Sequence, residues 1–82
     1  MGIRGIRGIM FLGDKVQVLT QEAACFGSSY PVGTIGYVVY IRYRYDSAQN
    51  YYCQYKIALE KHFTGINDLH HLYLATDLRV LV

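Results

Sequence analysis

The longest apolar stretch near the start of the chain, Ile9 to Leu12, falls far short of the roughly 20 residues that a membrane-spanning helix needs. It is also shorter than the apolar core of a signal peptide, and a cytoplasmic protein is the expectation. Cysteine is scarce as well. Cys25 and Cys53 are the only two, too far apart for a C-x-x-C redox or zinc motif, and in a reducing compartment both are expected to remain thiols. Phosphate-binding and nucleophile motifs are missing: there is no G-x-x-x-x-G-K-[ST], no G-x-G-x-x-G and no G-x-S-x-G. The carboxylates Glu22, Asp46, Glu60, Asp68 and Asp77 stand singly, mainly at turns, where capping accounts for them. The expectation is a protein that is not an enzyme and needs no cofactor. Charge is sparse too, at 17% of residues with a formal net charge of +2. That balance is too small to identify a nucleic-acid binder without knowing where the charges lie.

What the chain does have is 52% hydrophobic residues, nine tyrosines and three phenylalanines in 82 residues. Aromatic and β-branched side chains suit a pleated, half-buried surface, so one small all-β domain is expected. The opening M-G-I-R-G-I-R-G-I-M has a period of three that fits neither a strand nor a helix face. Residues 1–10 are therefore assigned to a flexible extension and 11–82 to the domain. Arg4 and Arg7 give that extension a basic character suited to a phosphate backbone.

Gly13-Asp14 marks a turn into a first strand, about Lys15 to Leu19, with Val16 and Val18 on one face. Residues 20–32 lack a period and contain Gly27, two serines and Pro31, which predicts a long loop and a candidate binding element. A second strand is expected from Thr34 to Tyr45. Strict alternation puts Ile35, Val39 and Ile41 on one face, whereas a bulge at Gly36 brings Ile35 and Val38 together, and the glycine favours the bulge. Residues 46–50 form a hairpin loop. The third strand, Tyr51 to Leu59, alternates cleanly, with Tyr51, Cys53, Tyr55, Ile57 and Leu59 towards the core. Lys61 to His70 reads as a second loop, His71 to Leu74 as a short fourth strand, Ala75-Thr76-Asp77 as one tight helical turn and Leu78 to Val82 as a fifth strand.

This plan resembles the SH3-like barrels, and its first half resembles the KOW-type module of ribosomal proteins and transcription factors. The likeness rests on Gly13-Asp14-Lys15-Val16-Gln17-Val18, on Gly33-Thr34-Ile35-Gly36-Tyr37-Val38 and on the closing Leu74 to Leu81. It implies a single five-stranded barrel with a long first loop and a short 3-10 turn before the last strand. It also implies a binding role, since barrels of this kind serve as nucleic-acid modules, protein-interaction modules and accessory subunits. Docking of proline-rich peptides is not expected, because the first loop has Glu22 as its only charged residue and the chain has no tryptophan.

Tyr37, Tyr40, Tyr43, Tyr45, Tyr51 and Tyr52 with Arg42 and Arg44 make the one aromatic and basic cluster, across a single expected hairpin. Such a surface stacks bases and holds phosphates, or simply stacks tyrosine on arginine and keeps the hairpin soluble, and the sequence favours the second reading. The leading functional expectation is docking to a protein partner through loop 20–32, with Phe26 and Tyr30, and through hairpin 37–55. The alternative is binding of RNA or single-stranded DNA through Arg42, Arg44 and neighbouring tyrosines. His62, His70 and His71 with Asp68 lack the spacing of a zinc site, so no metal is expected and these histidines are read as solvated. Val39, Ile41 and Leu81 are candidates for a homodimer contact, since a small barrel has more apolar surface than its core hides.

Overall fold

A computed structural model describes residues 10–20, 30–45 and 51–81. These form five antiparallel strands: β1 (Lys15–Val18), β2 (Ile35–Tyr45), β3 (Tyr51–Ala58), β4 (Tyr73–Leu74) and β5 (Leu78–Val80). Single 3-10 turns occupy Ile66–Asp68 and Ala75–Asp77. The all-β class, the strand sequence and the turn before the last strand agree with the sequence reading. No helix among the described residues is long and apolar enough to cross a membrane.

The strands make one sheet in the order β4-β3-β2-β1-β5. Its two edges are strands that follow each other in sequence, and this forces the sheet to curl. Laid flat, five strands would hold their outer members about 19 Å apart. The chain from Leu74 to Leu78 spans at most roughly 14 Å. Curling lets all five strands feed one core of Val16, Val18, Val38, Tyr55, Ile57, Tyr73 and Leu78. β4 and β5 do not pair with each other in a ladder, so the sheet of the described residues is curled but not closed.

Met10, placed with the extension by its sequence, is buried in this core; residues 1–9 lie outside the described residues. Tyr55 is the least exposed of the described aromatics, and burial pushes its hydroxyl up to about 12, with Cys53 adding to the shift and a backbone hydrogen bond at Met10 opposing it. Its hydroxyl is therefore a fixed neutral group of the core.

The bulge lies elsewhere than at Gly36. Val38 pairs with Ile57 and Tyr40 with Lys56, so Val39 is the extra residue. Gly36 is buried for another reason, the close passage of β3: a Cβ there would sit 2.7 Å from the carbonyl oxygen of Ala58. Ile35, expected inside, is exposed, because Gly36 and Val38 take the core positions. In β3, Tyr55 and Ile57 are buried and Cys53 packs partly against the core, as expected. Tyr51 and Leu59 are exposed instead, since they lie at or beyond the ends of the part of β3 that the other strands cover.

Candidate nucleic-acid interface

The bulge at Val39 decides which side chains share a surface. Strand side chains alternate, so one inserted residue reverses the facing of everything that follows it. Val38 faces the core, Tyr40 faces away, Ile41 packs back against the core, and Arg42 and Arg44 face away with Tyr40. Without the bulge, both arginines would fall on the core side.

The register continues this outer face across the sheet. Tyr40, Arg42 and Arg44 stand opposite Lys56, Gln54 and Tyr52. Tyr37 lies between Lys15 of β1 and Ala58 of β3. Gln17 stands opposite Arg79 of β5 and accepts a hydrogen bond from its guanidinium. Lys15, Arg42, Arg44, Lys56 and Arg79 therefore share one face: Lys15, Arg42, Lys56 and Arg79 each adjoin a residue packed on the core in their own strand, and Arg44 follows Arg42 by two positions. They are the only charged residues of the described strands, and no strand carries a carboxylate. Tyr37, Tyr40 and Tyr52 are interleaved with them. The ammonium of Lys56 lies 5.0 Å from the centre of the Tyr40 ring, a cation-π contact worth about 0.5–1 kcal/mol at an exposed site.

Beyond the body of the sheet, β2 and β3 continue as a two-stranded ribbon. β1 pairs only as far as Tyr37, and β4 reaches only Gln54 and Tyr55, so residues 43–45 and 51–53 pair only with each other. The ribbon carries Arg44 and Tyr52 on the cationic face, with Arg42 at its base opposite Gln54. Tyr43, Tyr45 and Tyr51 are on the other, 76%, 54% and 80% exposed, with the Tyr45 and Tyr51 rings 4.6 Å apart.

The structure thus divides the cluster that the sequence treats as one. It brings Tyr37, Tyr40, Arg42, Arg44 and Tyr52 together and puts Tyr43 on the opposite face. Tyr30 is remote from them: its N–H donates to the Tyr73 hydroxyl at 2.7 Å, and its side chain packs on the core. Phe26, Cys25 and most of loop 20–32 lie outside the described residues. Lys15, Lys56 and Arg79 are members that the sequence reading missed. The signal was present: each adjoins a core residue in its strand, so parity alone places it outward.

A second feature departs from the sequence reading. His70 is exposed, but His71 is only 6% exposed, its ring 4.2 Å from that of Tyr73. The adjacent histidines do face opposite ways, as alternation requires, and His71 is not solvated. Its Nδ1 has no hydrogen-bond partner. Burial holds its pKa below the ordinary 6.5, against the opposing charge of Asp77. A base whose folded pKa is depressed contributes stability that is whole above the unfolded value and is lost as pH falls through the folded one. The melting temperature should therefore drop as pH falls below about 6.5. Thermal melts at pH 7.5 and 5 on the parent and on His71→Phe check this, and the variant should lose part of the drop. Among the described residues no three His, Cys, Asp or Glu side chains converge as metal ligands. Compared with family models, characterised proteins and solved structures, the chain matches none.

Proposed function

We propose that the outer face of the sheet, extended by the β2–β3 ribbon, binds single-stranded nucleic acid. The observation that carries this reading is the segregation of charge: five strand cations on one face, with no carboxylate on any strand of the described residues. A net charge of +2 conceals this, because the described acids, Asp14, Glu60, Asp68 and Asp77, lie outside the strands. Interleaved Tyr40 and Tyr52 offer ring faces for bases, while Arg42, Arg44 and Lys56 hold the backbone. The same reading takes the curled five-stranded sheet as an SH3-like barrel with a KOW-type opening. The strand order and the 3-10 turn before β5 support it.

Anisotropy titration of labelled single-stranded oligonucleotides at low and near-physiological salt tests the reading. Each phosphate contact on a single strand contributes a slope of about 0.7 in log affinity against log salt, so Arg42→Ala with Arg44→Ala should lower the slope by roughly 1.4. Tyr52→Ala should weaken binding by about 1–3 kcal/mol if a base stacks there. No binding at low salt overturns the reading.

A protein partner is the second reading, favoured by the opposite side of the ribbon. Tyr43 and Tyr51 are three-quarters or more exposed, and tyrosine gives a large contact area at low entropy cost. Contact through that side would be insensitive to Arg42 and Arg44 and would respond to Tyr43→Ala and Tyr51→Ala.

A further inference from the structure

The ribbon leaves one edge of β2 without a neighbouring strand. Val38 directs its backbone to the β1 side, where its N–H donates to the Asp14 carbonyl at 2.9 Å and its own carbonyl accepts the Gly13 N–H at 2.8 Å. Val38 and Ile57 therefore stand opposite each other without exchanging hydrogen bonds. β3 continues from Ile57 without irregularity, so Tyr55, Cys53 and Tyr51 repeat its orientation. Their partners Ile41, Tyr43 and Tyr45 accordingly turn their N–H and C=O groups away from β3, towards the free edge. β1 reaches only Tyr37, and among the described residues nothing pairs with those groups. A row of unpaired strand amides and carbonyls is a template for another strand. We propose that the edge of β2 from Ile41 to Tyr45 takes an extended acidic segment of a partner protein as an added strand.

Charge decides which strand fits. Arg42 and Arg44 alternate with the edge residues and are exposed, and no described strand carries a carboxylate beside them. Residues that stand opposite each other in paired strands share a face. An added strand would thus set one row of side chains against Arg42 and Arg44 and the other against Ile41, Tyr43 and Tyr45. The first row calls for Asp or Glu, the second for β-branched or aromatic residues. A second copy of this chain is the wrong occupant. Any antiparallel pairing of the edge with itself that engages two or more of Ile41, Tyr43 and Tyr45 aligns arginine with arginine. Centred on Tyr43 it opposes Arg42 to Arg44, and centred on either arginine it opposes that residue to its own copy. Like charges directly opposite are destabilising, so the edge resists self-pairing and favours an alternating acidic strand. Arg42 and Arg44 also serve the nucleic-acid reading, but the hydrogen-bonding edge belongs to this proposal alone, and either can fail without the other.

The test is amide hydrogen exchange by NMR on the full chain, with and without a synthetic peptide of sequence T-V-E-V-E-V-T. In the free protein, exchange should be fast at Ile41, Tyr43 and Tyr45 and slower at Arg42 and Arg44, whose N–H groups face β3. With the peptide at about ten times its Kd, exchange at the first three should slow about tenfold. In anisotropy titrations, the same peptide with lysine in place of glutamate should bind about tenfold more weakly. Tyr43→Pro removes a donor that faces the added strand and none that faces β3. It should weaken binding about tenfold relative to Tyr43→Ala, which also lacks the ring but keeps the N–H. Exchange is read in the unmodified protein, so the answer does not depend on how the proline variant folds. Exchange that the peptide leaves unchanged at these residues overturns the proposal, as does a lysine peptide that binds equally well. Equal binding by Tyr43→Pro and Tyr43→Ala also overturns it and would place the peptide on the cationic face through charge alone. Protection that grows with protein concentration in the absence of peptide assigns the edge to a second copy and overturns it too.

Discussion

Gly36→Ala is expected to lower the melting temperature by roughly 5–20 °C, from an overpacking cost of about 1–3 kcal/mol and a shift of about 4–8 °C per kcal/mol in a domain of this size. The new methyl would lie 2.7 Å from the Ala58 carbonyl oxygen and 3.4 Å from its carbonyl carbon. Those atoms belong to the backbone of β3, which pairs with β2 from Tyr37↔Ala58 onward. No rotamer change relieves such a clash, and the strands must separate. Gly33 provides the contrast. Its φ is +95° and nothing lies within 4 Å of a Cβ placed there. The cost at Gly33 is conformational, so Gly33→Asn should be milder than Gly33→Ala, because asparagine tolerates the left-handed region. At Gly36 asparagine should bring no relief. Thermal melts of the four variants separate the two causes, and a Gly36→Ala variant that melts with the parent would show that the strands give way freely.

Removing the Asp77 carboxylate should cost roughly 2–4 kcal/mol in urea unfolding, the loss of two charge-assisted hydrogen bonds at a buried site. One oxygen accepts the Thr20 hydroxyl at 2.6 Å and the other the Leu74 N–H at 2.9 Å. Asp77 is 7% exposed, and its backbone carbonyl also accepts the Leu19 N–H at 2.8 Å. The residue therefore fixes the turn between β4 and β5 and ties it to the end of β1, at the place where the curled sheet brings its edges round. Asp77→Asn keeps one acceptor oxygen and should lose about half as much as Asp77→Ala. Equal stability of Asp77→Ala and parent would mean that packing of Tyr73 and Leu78 alone holds the two edges.

Alternation and turn chemistry made much of this fold legible. Tyr51 to Leu59 has the period of a strand, and Tyr55 and Ile57 are buried as that period requires. Ala75-Thr76-Asp77 reads as a single turn and is one, because Asp77 caps it and the chain must reverse onto β1. Of the carboxylates read as caps, Asp77 is one; Asp14, read as part of the turn into β1, accepts the Phe11 N–H at 2.9 Å. The glycine of β2 was legible as a special position but not as to kind, since a glycine inside a strand marks either a bulge or a close backbone approach. Only the neighbouring β3, non-local in sequence, distinguishes the two. The burial of His71 was illegible for a similar reason: the sequence placed it at the start of a short strand, and only its packing against Tyr73 in the folded chain buries it.

The sequence by itself determined the all-β class and the succession of strands along the chain, because these follow from side-chain periodicity and local turn chemistry. The tertiary structure decided the surface. Val38 and Val39 are equally apolar, so nothing local says which of them is the extra residue. Pairing with Ile57 and Lys56 across the sheet makes it Val39, and that one residue turns Arg42 and Arg44 from the core side to the face that already holds Lys15, Lys56 and Arg79. Side-chain facing in a strand has a period of two, and a single insertion set by long-range pairing inverts it.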